Sequence, residues 1–154
     1  MSVYFTNNQY LKTAEEDFEA AELLYGHNYY DQIDTLLSVA MTKYLKAIIE
    51  SIVPNDESTA YFITEDKIEL LRTVKKFKPE ILVSEAECRW IDNVYNKANC
   101  TDGIHAIMPK QTIVDAFRIV ANLRKYAREC DKEGLSGGRY FLANLFKKNS
   151  SEQE

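Results

Sequence analysis

Few side chains in this 154-residue chain could do chemistry at neutral pH, and its two histidines are the first to weigh. His105 follows a stretch in which Arg89, Asn93 and Asn96 recur at near-helical spacing, with Asn99 and Asp102 in the loop between. An arginine can stabilise a charged phosphorane and a histidine can move protons near pH 7. A phosphate-directed site here would therefore draw on Arg89, Tyr95, Asn96 and His105. The plainer reading leaves Arg89 and Asn96 solvated and has His105 close a loop. His27 sits in a turn with no arginine before it. A second cluster is basic: Lys110, Arg118, Arg124, Lys125 and Arg128 share one helical stretch, opposed by Asp115 and Glu129. As a phosphate-contacting face it would lose affinity steeply with salt. As a structural face it would pair with the acidic first helix, its late arginines matching the helix dipole.

Other chemistries lack the spacing they need. Glu15-Glu16-Asp17 and Glu85-x-Glu87 form no D-x-D or H-E-x-x-H metal pattern, and Gly137-Gly138 is not followed by the Lys-Ser/Thr of a phosphate loop. No metal and no cofactor is expected. Cys88, Cys100 and Cys130 are odd in number and form no C-x-x-C pair, against a zinc site or a disulfide framework. Cys88 and Cys130 fall on apolar seams and read as buried thiols in a reducing cytoplasm. A net charge of −5 argues against a general nucleic-acid coat, though a local basic face survives it. The first residues do not read as a signal peptide, and no apolar run approaches the roughly 20 residues of a membrane span. Ten tyrosines and seven phenylalanines suit a rim or an interface, where a ring packs and a hydroxyl stays satisfied.

These residues must be held by helices, since five glycines and three prolines leave few turns. Leu11, Ala14, Phe18, Ala21 and Tyr25 line one face of a first helix, with Glu15, Glu16, Glu19 and Glu22 expected in water. Ile33, Leu37, Ala40, Tyr44 and Ala47 do the same in a second, widened by Leu36 and Ile48. Between them Gly26 reads as the helix end, followed by polar residues able to cap the next helix, so the pair folds as an antiparallel hairpin. Pro54 ends it. Ala60 to Ile63 reads as a short extended piece. Thr64-Glu65-Asp66 caps a third helix carrying Ile68, Leu71, Val74 and Phe77, and Pro79 stops it. Ser84-x-x-Glu87 is a capping box for a fourth, with Cys88, Ile91, Tyr95 and Ala98 in its seam. Ile113, Ala116, Val120, Leu123, Ala127 and Cys130 mark a fifth. Gly134 to Gly138 breaks the pattern. The expected architecture is all-α, an antiparallel four-helix up-and-down bundle over 1–133. A Gly-rich hinge, a short amphipathic basic helix and a polar tail follow over 134–154. Tyr140, Phe141, Leu145 and Phe146 in that tail are candidates for docking on the body or on a partner, being costly to leave in water.

The hairpin also resembles a known family. Asp17-Phe18-Glu19-Ala20-Ala21-Glu22-Leu23-Leu24, then Tyr29-Tyr30-Asp31, then Ala40-x-x-Lys43-x-Leu45-Lys46-Ala47-Ile48 is similar to the opening of HEPN domains, the "higher eukaryotes and prokaryotes nucleotide-binding" bundles. Trp90 and Tyr95 to Asp102 stand where small prokaryotic members carry an aromatic and an A-R-Y-P stretch, and Ile113 to Cys130 matches the last helix. The resemblance spans about residues 11–131. It implies an α-bundle, frequently dimeric, from toxin–antitoxin, phage-defence or RNA-processing settings. Many members are metal-independent RNases with an R-x(4–6)-H motif. Here His105 follows Arg89 by sixteen positions and Asn99 stands where the arginine belongs, which puts that mechanism in doubt.

The function expected is a non-catalytic HEPN-like binding domain, a homo-oligomer or the partner of another protein, a nucleotidyltransferase antitoxin being one candidate. RNA or a nucleotide stays open as a ligand. The alternatives are an RNase toxin or nucleotide-binding protein with a displaced site, and a tetratricopeptide-like scaffold. The scaffold would need a period of about 34 residues, and none is apparent.

Overall fold

Helix α2 (Ile33–Ile52) is the axis of the molecule, and its sequence says why. Its buried positions run through Leu37, Ala40, Met41, Tyr44, Leu45, Ala47, Ile48 and Ile49, so apolar residues occupy nearly its whole circumference. A helix that is apolar all round has to be surrounded. Around it stand α1 (Gln9–Gly26), α3 (Lys67–Phe77), α4 (Glu85–Asn99) and α5 (Lys110–Glu152), each packed against it. The computed structural model describes residues 5–53, 64–99 and 110–152, excepting the side chains of 94–99 and 135–152. Among the described residues there is no strand, and no helix is long and apolar enough to cross a membrane. The expected all-helical bundle is what forms.

The hairpin of α1 and α2 is antiparallel. Asn8 explains its register: the side-chain oxygen caps α1 by accepting from Leu11 N, while Nδ2 donates to Ala47 O at 2.9 Å and to Ser51 Oγ. One amide thus closes the start of α1 onto the end of α2. Further along, Lys43 reaches Asp17 at 2.6 Å. The expected seams are buried from Leu11 to Ala21 and from Ile33 to Ile48, with Tyr25 and Leu36 half-buried.

The turn between them keeps the expected helix end at Gly26 and differs in its left-handed residue and in the start of α2. Gly26 is the last helical residue, and the left-handed position is taken by Asn28 at φ 61°. Asparagine tolerates that region because its short polar side chain bonds locally, and here Tyr30 Oη donates to it at 2.9 Å. No polar side chain caps α2 either, since Gln32 stands at its start without a side-chain bond. The later caps are as read: Asp66 accepts from Ile68 N and Glu69 N, and Ser84 and Glu87 close a reciprocal box. Val53, ahead of Pro54, is extended.

Helix α5 runs antiparallel to α1, with Thr6 bonded to Asp131 at one end and Phe117 against Tyr25 at the other. Its whole predicted seam, Ile113 to Cys130, is buried. The expected break at Gly134–Gly138 does not occur: α5 continues as helix to Glu152, in place of a hinge and a separate short helix. A glycine costs only about 1 kcal/mol in a helix and ends one only where the chain turns left-handed. Gly134 has another use. A Cβ there would lie 3.3 Å from Ser51 O, so its absence lets α5 close on the end of α2. Phe77, expected in the α3 seam, is 43% exposed, because Leu70, Leu71 and Val74 define the buried face. The Ala60 to Ile63 piece lies outside the described residues.

Candidate functional site

The two sequence-derived clusters meet different fates. Arg89 projects from α4 and is exposed, with Nη2 3.3 Å from Glu85 one turn earlier. Glu85 is held from the other side by Arg72 of α3, at 2.7 and 3.2 Å. The Arg72 bond, and then the charges of both arginines, keep the Glu85 carboxyl below the usual range. Arg89 is therefore one member of an open Arg–Glu–Arg chain. Tyr95 and Asn96 lie further along α4, where side chains are outside the description, and His105 is outside the described residues altogether.

On α5 the basic residues divide. Arg124 and Arg128, one turn apart, both turn inward onto Glu15 of α1. Arg128 bonds it at 2.8 and 2.6 Å through Nε and Nη2, and Arg124 Nε lies 3.2 and 3.1 Å from the two carboxylate oxygens. The Arg124 guanidinium also stacks 4.6 Å above the Phe18 ring. Glu15, expected in water, is only 6% exposed. Burial alone would raise its pKa, but the bonds from Arg128 and Arg124 outweigh that and hold it below the usual carboxylate range. Tyr44, fully buried on α2, faces the same carboxylate. Burial first, and then the Glu15 charge, push its phenol well above the ordinary value, so it stays protonated.

Lys110, Arg118 and Lys125 are exposed. Lys125 joins Arg128, Lys132 and Glu129 around a shallow groove of about 340 Å³. Beside it, towards the start of α5, a second groove of about 460 Å³ runs between α5 and the end of α1. Val114, Phe117 and Arg118 form one wall, and Phe18, Glu22 and Tyr25 the other. Its floor is aromatic: Phe117 meets Phe18 edge-on at 5.8 Å and Tyr25 at 5.5 Å. Val114 at its lip is 41% exposed. Sequence reasoning missed this groove. The available signal was Val114 and Phe117, apolar residues beside the Ile113 seam that widen it towards a second surface.

Cys88 and Cys130 are buried free thiols, each pushed up to about 11 by burial, so neither is a thiolate at neutral pH. Among the described residues no group of histidine, cysteine or acidic side chains could hold a metal. What the α1–α5 face can do is bind: an aromatic cleft with an acidic rim adjoins a basic one.

Compared with known proteins, the chain matches one family model, described as HEPN domain, over residues 8–130. Neither the curated proteins nor the solved structures contain a match.

Proposed function

The chain belongs to the HEPN domain family, and from that premise we propose that it acts by binding rather than by cutting RNA. It works in the cytoplasm as a homodimer or as a subunit beside another protein chain. The settings that fit are a toxin–antitoxin pair, a phage-defence system or an RNA-processing complex. The observation that carries this reading is the commitment of the two inward arginines of α5. Arg124 and Arg128 are both occupied by Glu15. An arginine already bonded to a carboxylate is poorly placed to stabilise a phosphorane, and neither histidine follows an arginine at R-x(4–6)-H spacing. The aromatic groove between α1 and α5 offers the contact surface instead.

Two measurements test it together. Light scattering of the complex purified from cells is expected to give a dimer or a larger assembly. A labelled RNA pool incubated with the protein in a chelator is expected to survive intact. RNA cleavage that vanishes in His105→Ala would overturn the reading in favour of a displaced-site RNase.

One observation favours a second reading, nucleotide or RNA binding without cleavage. Lys125 and Lys132 border the basic groove beside Arg128. Binding there would weaken roughly tenfold between about 50 and 200 mM salt and would fall in Lys125→Ala.

A further inference from the structure

Helix α5 carries two stripes. The first is the buried seam from Ile113 to Cys130, packed against α2. The second begins one residue later, about 100° round the helix, and runs through Val114, Arg118, Ala121, Lys125, Arg128 and Lys132. All six line one or other of the two grooves, which share Ala121 and so run into each other. Their four-and-three spacing repeats every 3.5 residues, the period along which a second helix lies side by side. From Val114 to Lys132 the stripe extends about 27 Å, or five turns. Glu15 draws Arg124 and Arg128 inward, but Val114, Arg118, Ala121, Lys125 and Lys132 stay exposed.

The two halves of this stripe differ in chemistry. Near the start of α5, Val114 and Ala121 adjoin the aromatic floor of Phe18, Tyr25 and Phe117. Farther along the lining is cationic, with Lys125 and Lys132 two turns apart, about 10 Å. A helix laid here buries leucine or aromatic side chains over the first half and meets the second with carboxylates at the same two-turn spacing. A nucleic acid is a poorer match. Glu22 borders the first half and Glu129 the second, and each would repel a continuous row of phosphates.

We propose that the outer stripe of α5, from Val114 to Lys132, is the docking site for an amphipathic helix of another protein chain, apolar in one half and acidic in the other. This rests on the binding reading above and gives the partner its chemistry. The divided pattern also fixes the direction of the incoming helix. Reversed, it would set its carboxylates over the aromatic floor and its apolar side chains against the lysines.

The test is fluorescence anisotropy of the full-length chain with two labelled helical peptides of about five turns. Both carry leucine and phenylalanine at heptad spacing in one half. The other half presents glutamate in one peptide and lysine in its counterpart. Wild type is expected to bind the glutamate peptide about tenfold tighter at low salt. Lys125→Glu with Lys132→Glu is expected to reverse that preference, and Val114→Glu to weaken both peptides. These positions are exposed, and circular dichroism confirms that each variant is folded. Equal affinity for the two peptides, or a preference that charge reversal leaves unchanged, would overturn the docking site. Binding of an oligouridylate with no binding of the glutamate peptide would overturn it in favour of a nucleic-acid face. A homodimer dissolved by Val114→Glu would overturn it by giving the groove to a second copy. A complex recovered from cells that survives all three substitutions would also overturn it and leave the binding reading standing. A wild-type monomer recovered without any partner would overturn both.

Discussion

Two Arg–Glu–Arg clusters in this molecule have the same composition and opposite surroundings. Glu15 lies between Arg124 and Arg128 at the joint of α1 with α5, and is almost completely buried. Glu85 lies between Arg72 and Arg89, bridging α3 and α4 in the open. Both carboxyls are held below the ordinary range by their arginines. The first joins segments more than a hundred positions apart in sequence, and its ions have left water. The second is solvated, and water or salt can replace either partner. Identical chemistry is thus a structural clamp in one place and decoration in the other. Burial makes the difference.

Breaking the clamp should give the largest effect. Glu15→Ala leaves two guanidiniums without their carboxylate in a half-buried joint and is expected to cost about 2–3 kcal/mol in urea unfolding. Its pH dependence has a definite sign. The folded-state pKa of Glu15 is depressed, so its contribution is present above the unfolded carboxylate range and is lost as pH falls through the folded value. Glu15→Gln should therefore flatten the acid limb of the stability profile. If the limb is unchanged, the clamp is not what its geometry says.

An intermediate case sharpens the contrast. Lys67 is buried while its partner Asp92 is half exposed, at 2.8 Å. Asp92→Ala strands the buried ammonium and is expected to cost about 1 kcal/mol, between the two clusters. Smaller, and opposite in sign, is Glu50. Burial first, and then nearby Asp131, raise its pKa, so its ionised form is disfavoured in the folded state. Glu50→Gln should stabilise the protein at neutral pH, by about 1–2 °C in thermal unfolding, and the gain should fade as pH falls and the wild-type carboxyl takes up a proton. The smallest effect belongs to Glu85→Ala, whose unfolding should match wild type within error. A loss comparable to that of Glu15→Ala would refute the claim that burial decides.

Most of the architecture was legible in the chain. The seams of α1, α2 and α5 follow from three-and-four spacing, and the caps at Asp66 and Ser84–Glu87 from side chains that satisfy free backbone N–H groups. These are local rules, read correctly from a local pattern. The misreadings share one cause. Glu15 reads as solvated because it is charged and off the apolar stripe, yet two arginines over a hundred positions later fill the space opposite it. Gly134 reads as a break, whereas its lack of a side chain serves the approach to Ser51. Asn8 is unremarkable in sequence and ties α1 to the end of α2. The aromatic groove exists only where the end of α1 meets the start of α5.

By itself, then, the amino-acid order determined that this protein is all helix, where most helices start and stop, and which positions avoid water. Those properties depend on spacings of three or four residues and on caps that act within one turn. Tertiary structure alone decided which charges are buried, which arginines are spent and which remain at the surface, and where an aromatic cleft opens. Each of those depends on what a distant segment places across a gap of a few ångströms, and no periodicity within a single helix carries that information.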